Sequence, residues 1–221
     1  MIKQPDAYHN RAENYTRQKQ DEEEAQKWLN PIIENELNAI ITVASQQQDV
    51  EEATDLILNM GTAIYLNSPI YRRRLAQAGL RIRNIKSAKD YNDVTFRSKS
   101  SGYLTEINKL YNADLDIYCV VDYEEERLIR LAVVDAKKSY SLLNCSGFDF
   151  EEKTNKDYVT GFVGINICLL RKLGIVIRES GEWTNQCVCK KNEGCKDKER
   201  IKNAKTLCKN NEHTHPDMLN M

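Results

Sequence analysis

Two sets of side chains in this 221-residue chain have the types and spacing for metal-assisted phosphodiester chemistry. Downstream, Asp116 opens the apolar run Ile117-Tyr118-Cys119-Val120-Val121, and a return segment ends in Asp135-Ala136-Lys137, with Glu106 on a short helical stretch ahead of both. Read as a hairpin, period-two alternation places Asp135 and Lys137 on one face beside the strand that Asp116 begins. Mg²⁺ and Mn²⁺ take oxygen ligands, which makes Asp116 and Asp135 the candidate metal ligands. Lys137 is then the group that polarises an attacking water or stabilises charge on phosphorus, and Glu106 the residue that orients the water. Upstream, Asp55 precedes Leu56-Ile57-Leu58 and is followed by Leu80-Arg81-Ile82-Arg83. Arginines stand there where an acid and a lysine are needed, and a guanidinium only donates, so this register lacks a full ligand set.

The elements that must position these groups can be read from periodicity. Residues 1–24 are polar, after which Trp28, Leu29, Ile32, Ile33, Leu37, Ile40 and Ile41 recur at helical spacing, with Pro31 as a kink or a boundary. Leu56–Leu58 and Thr62–Leu66 around Asn59-Met60-Gly61 read as a hairpin, and Leu80–Ile85 and Val94–Arg97 as strands joined by a polar loop from Lys86 to Asp93. Residues 105–110 are helical, and 115–122 with 128–135 form an antiparallel pair across Tyr123-Glu124-Glu125-Glu126. Val159–Leu170 is apolar enough for one buried helix, and Ile175-Val176-Ile177 for a last strand. This order predicts an α/β or α+β fold, a central mixed sheet flanked by helices over residues 25–183.

Composition narrows the partners. With 32 basic and 33 acidic residues the chain is nearly neutral, so any nucleic-acid surface must be local. Arg72, Arg73, Arg74, Arg81, Arg83, Lys86, Lys89, Arg97 and Lys99 form one local excess, suited to the phosphates of DNA or RNA or to a solvated edge. The segment 184–221 gathers Cys187, Cys189, Cys195, Cys208, His213 and His215 among lysines: candidate ligands for one structural Zn²⁺, or incidental thiols on a basic tail. Cys119, Cys145 and Cys168 read as small buried residues. No apolar run has the ~20 residues that a spanning helix requires, and the polar start lacks a signal-peptide core, so the expectation is a cytoplasmic protein with no membrane partner. Glycine-rich phosphate loops, dinucleotide fingerprints, nucleophile elbows and zinc-protease helices are absent from the sequence.

The run from Ala53-Thr54-Asp55 through Arg81-Ile82-Arg83 and Tyr91-Asn92-Asp93-Val94-Thr95-Phe96-Arg97-Ser98 to Asp116-Ile117-Tyr118 resembles small proteins of bacteriophages and mobile elements. Those are similar to the PD-(D/E)xK, or restriction-endonuclease-like, nuclease superfamily, and the resemblance covers roughly residues 20–140. It implies an acid on one strand and acid-x-lysine on the next, holding one or two Mg²⁺ for phosphodiester hydrolysis. Asp55 matches the lone acid but meets Arg81-Ile82-Arg83, whereas Asp116, Asp135 and Lys137 keep every chemical type. The implied activity is that of a metal-dependent DNA endonuclease or exonuclease, in a host cytoplasm if the chain is viral. The alternative is a scaffold without catalysis that binds nucleic acid or a host defence protein.

Overall fold

The computed structural model describes residues 7–45, 54–60, 75–88, 91–99, 105–144, 150, 152–154 and 161–183. Ala25, Leu29, Ile33 and Leu37 repeat every fourth position, which on a helix makes one apolar stripe. They lie on helix α1 (Ala7–Leu37), which runs on through Pro31, and all four are buried. The helix ends sooner than the spacing of Ile40 and Ile41 predicts. Asn38 turns into the left-handed region with φ 47°, a conformation that asparagine tolerates at a helix end. The β-branched run that follows becomes strand β1 (Ala39–Val43).

Strand β2 (Leu56–Met60) takes up Asn59 and Met60, expected as a turn, by pairing them with Ile40 and Ala39. Thr62–Leu66 lies outside the described residues. Strand β3 (Leu75–Asn84) is followed by the short helix α2 (Ile85–Ala88), which takes Ile85 from the expected strand and the start of the segment expected as a loop, and by strand β4 (Asp93–Lys99). Helix α3 (Glu106–Lys109) leads to strands β5 (Leu115–Asp122) and β6 (Arg127–Asp135), the expected antiparallel hairpin, paired from Leu115 with Asp135 to Asp122 with Arg127. Helix α4 (Ala136–Leu143) and strand β7 (Glu152–Thr154) come next.

The apolar segment 159–170 is not one helix. Its described part is strand β8 (Gly161–Asn166), with alternate residues buried, then helix α5 (Ile167–Lys172). Gly161 and Gly164 weaken a helix, while the Asn166 side chain accepts from Cys168 N–H and so starts α5 there. Strand β9 (Val176–Gly181) completes the described chain.

Among the described residues these strands make a six-stranded sheet, ordered β1-β2-β3-β5-β6-β9, and a three-stranded one, β4-β8-β7. The large sheet is mixed, because β3 and β5 run parallel and its other neighbours antiparallel. The fold is therefore α+β, as the order of elements predicts. α1 packs its stripe on one face against Leu56, Leu58, Ile117 and Leu131. The other face, with Tyr118, Val120, Ala132 and Val134, closes on Phe96, Val163 and Ile165 of the small sheet and on the short helices. α1 also guards the outer edge, where Glu34 accepts a 2.7 Å hydrogen bond from Ile41 N–H.

Removing a fully buried leucine from the α1 stripe leaves a cavity that the sheet can only partly close. Leu29→Ala is expected to destabilise the fold by about 2–5 kcal/mol, read as a lower urea midpoint with unchanged slope.

Candidate functional site

The parallel register of β3 and β5 sets Gly79 beside Asp116 and Arg81 beside Tyr118. Strand alternation sends Arg81 and Asp116 to the same side, toward the small sheet. Arg81 is only 7% exposed. Its guanidinium holds Asp116 with two hydrogen bonds of 3.0 and 2.9 Å, meets Glu106 at 2.5 Å, donates to the Thr95 carbonyl and lies 4.7 Å over the Phe96 ring. Glu106 reaches it because Thr105 caps α3 in a reciprocal box with Asn108, and the same carboxylate accepts from Arg97 N–H at 2.6 Å. Asp55 accepts from Leu80 N–H at 2.6 Å. A Cβ on Gly79 would stand 2.9 Å from an Asp116 oxygen and 3.8 Å from an Asp55 oxygen, so the glycine leaves the room that both acids use.

Asp55 of one expected register, and Asp116 and Glu106 of the other, thus converge around Arg81. Burial disfavours charge on Arg81, but Asp116 and then Glu106 outweigh it and hold its pKa above the ordinary value. Burial pushes the Asp116 carboxyl up, offset only in part by Arg81 and reinforced by the Glu106 charge. Glu106 also feels burial, yet Arg81 and then Arg97 bring it below the usual carboxylate range. Two acids share one guanidinium, and the more deeply buried acid is the harder to ionise. This arrangement corrects two expectations. Arg81 is buried rather than presented to a phosphate backbone, and Asp116 and Glu106 turn their oxygens to that guanidinium rather than to a metal ion.

Asp135 and Lys137 are placed elsewhere. Strand β6 stops at Asp135 and α4 begins at Ala136, so acid-x-lysine does not lie on one strand as period-two alternation requires. The Asp135 side chain caps α4, accepting from Lys138 N–H at 3.0 Å. Asp135 stands across from Leu115, whereas Asp116 stands across from Val134, so the two expected ligands do not face each other.

The acid beside Asp135 is Asp114, which the sequence reading passed over. Its carbonyl accepts from Ala136 N–H at 3.1 Å, and it is tied to β3 through Asp114 N–H to the Gln77 carbonyl at 2.9 Å. Gln77 N–H returns a 3.2 Å bond to the Asp114 carboxylate. Lys137 Nζ lies 3.8 Å from the other Asp114 oxygen, and Lys138 Nζ lies 3.6 Å from an Asp135 oxygen. The acids are 6% and 4% exposed, while the lysine side chains are 54% and 55% exposed. Each buried carboxylate therefore has one oxygen set by a backbone amide and another within 4 Å of an exposed lysine ammonium. The signal for Asp114 was present in Asp114-Leu115-Asp116, where two acids flank the first residue of β5, but only the pairing register separates them.

Of the other expected contacts, Arg83 is partly buried and donates to Thr95 Oγ1 at 3.2 Å, while Arg97 and Lys99 are exposed. Arg72, Arg73, Cys145 and the zinc candidates Cys187, Cys189, Cys195, Cys208, His213 and His215 lie outside the described residues. Cys119 and Cys168 are buried thiols, as expected. A second buried arginine, Arg130, donates at 2.7 Å to the carbonyls of Ala88 and Tyr91 and lies 5.3 Å over Trp183. Among the described residues no three histidine, cysteine or carboxylate side chains converge as a metal cage. No family model, curated protein or solved structure matches this chain.

Removing one partner of a buried ion pair leaves the other charge without compensation, at about 3–5 kcal/mol. Arg81→Met is expected to destabilise in that range, and Arg81→Met with Asp116→Asn by clearly less, in urea titrations at neutral pH. The acid limb separates the two carboxylates. Glu106, whose folded pKa is lowered, contributes stability that is present above the ordinary glutamate pKa and lost as pH falls through the lowered value. Asp116, raised, acts with the opposite sign, its contribution fading as pH rises through the raised value. Glu106→Gln should therefore differ most from the parent near neutrality and converge with it on acidification.

Proposed function

We propose that this chain is a metal-dependent nuclease that hydrolyses phosphodiester bonds of DNA, with Asp114, Asp135 and Lys137 as the reacting group. One observation carries the reading: the backbone joins Asp114 to Ala136, next to Asp135, at the base of the β5–β6 hairpin, and each of these two buried acids has an exposed lysine within 4 Å. Mg²⁺ commonly keeps several waters and is held through one or two carboxylates, so a pair of acids fits it without a full protein cage. Asp114 and Asp135 would hold the ion, which when bound supplies a Lewis acid and a nucleophilic water at neutral pH.

This chain's own groups orient the reaction. The Gln77 and Lys138 amides fix the two carboxylates, so the acids need not reorganise when a cation arrives. Lys137, beside Asp114, can turn its ammonium to the phosphoryl oxygens as negative charge builds there. Lys138, Arg97 and Lys99 supply further exposed cations. α3, whose Glu106 pairs with Arg97, packs on both β4 and α4, which brings the strand carrying Arg97 and Lys99 toward the helix of the two lysines. Such contacts bind phosphate without regard to sequence.

The second reading is a protein on the same scaffold that binds nucleic acid without cutting it. The absence of a three-ligand group among the described residues favours it. With Mg²⁺ or Mn²⁺ the purified protein is expected to degrade plasmid DNA, and Asp114→Asn, Asp135→Asn and Lys137→Ala to lower the rate by about 10²-fold or more. Arg97→Ala with Lys99→Ala should flatten the salt dependence of binding by about one unit per contact. Salt-dependent binding with no cleavage under any divalent cation would select the second reading, and no binding at low salt would reject both.

A further inference from the structure

From the surroundings of Asp114 we infer that the site takes an unpaired nucleotide, its base stacked on Tyr111, so that single-stranded or frayed DNA is the substrate class. This rests on the phosphodiesterase reading above. Tyr111 lies in the turn between α3 and β5, three residues before Asp114, and is 56% exposed. Its neighbours Leu110 and Ala113 are buried, and Leu110 N–H donates to the Glu106 carbonyl at 2.9 Å, so the turn is anchored while the ring stays open.

Tyr140 steadies that ring edge-on, with centroids 5.4 Å apart and planes at 62°. Tyr140 follows Lys137 by three residues on α4, and residues so spaced share a helix face with their Cβ atoms about 5–6 Å apart. Lys137 in turn approaches Asp114. Aromatic platform, ammonium and carboxylate therefore form one continuous patch: a place for a base, a place for its phosphate, and the acids proposed to work on that phosphate.

The other exposed apolar side chains lack this context. Ile40 and Val43 sit on the strand edge that Glu34 guards, Leu75 opens β3 opposite Asn59, and Tyr91 has the Lys153 ammonium 5.8 Å over its ring. Stacking on Tyr111 requires a base with an uncovered face. Paired and stacked bases of a duplex do not offer one, whereas a single strand does, and such stacking tolerates any sequence.

The test measures binding of the full chain, in chelator, to a labelled oligothymidylate and to a duplex of equal length. Tyr111→Ala is expected to weaken single-strand binding by about 10-fold and leave duplex binding unchanged, while Tyr111→Phe stays within about 2-fold of the parent because the ring and not the hydroxyl makes the contact. Tyr91→Ala, the control for losing an exposed tyrosine, should change neither. Unaltered single-strand affinity in Tyr111→Ala, or equal loss on both ligands, would overturn the inference and leave the nuclease reading standing. If the parent binds neither ligand at low salt, that reading itself has failed.

Discussion

The buried guanidinium of Arg81 is the interaction on which the two sheets depend. It draws on four elements at once: Arg81 comes from β3, Asp116 from β5, the Thr95 carbonyl from β4 and Glu106 from α3. A charge with so little exposure must be paired and hydrogen-bonded to be tolerated, and every partner here is an oxygen held by a different segment. The apolar contacts of Phe96, Val163 and Ile165 bring the small sheet onto the large one without much direction. The ionic cluster adds direction, because the docking of β4 satisfies Arg81, Glu106 and Arg97 N–H together. Arg130 does the same at the neighbouring junction, where it takes up the Ala88 and Tyr91 carbonyls between α2 and β4.

The same constraint decides where chemistry can occur. The carboxylates around Arg81 are engaged inside the protein, so Asp116 on β5 is structural. Two residues before Asp116, just ahead of β5, the environment changes. Asp114 and Asp135 sit where the hairpin base meets the start of α4, and their cationic neighbours are flexible lysines. An arginine locked into a cluster holds a fold together, while a lysine that reaches an acid only loosely can exchange it for another anion.

Much of the fold was legible because its determinants are local. The β5–β6 hairpin followed from apolar runs around Tyr123-Glu124-Glu125-Glu126, and the α1 stripe from four-residue spacing. Failures arose where a local signal was outweighed. Ile40 and Ile41 continue a helical spacing, but Asn38 had already turned the chain. The 159–170 run is apolar enough for a helix, but its alternate burial and the Asn166 cap divide it. At the site, the partners of Asp116 and Asp135 differ from those expected. Asp114 and Asp116 are two residues apart in sequence, and which of them lies beside the end of β6 depends on a register that spans two strands. The burial of Arg81 was likewise invisible, because it results from Asp55, Glu106 and Asp116 arriving from distant parts of the chain.

The bond from Ile41 N–H to Glu34 has a consequence for how many strands the large sheet can hold. β1 is its outer strand among the described residues, and Ala-Ile-Ile-Thr-Val is the kind of short, uncharged, β-branched sequence that recruits further strands from other molecules. An incoming strand would have to displace the Glu34 carboxylate from that amide and leave a negative charge pressed against its own backbone carbonyls. The helix that covers one face of the sheet thereby also bears on its width, because a single acid placed one turn before the helix ends occupies an outward amide of β1 that a further strand would need.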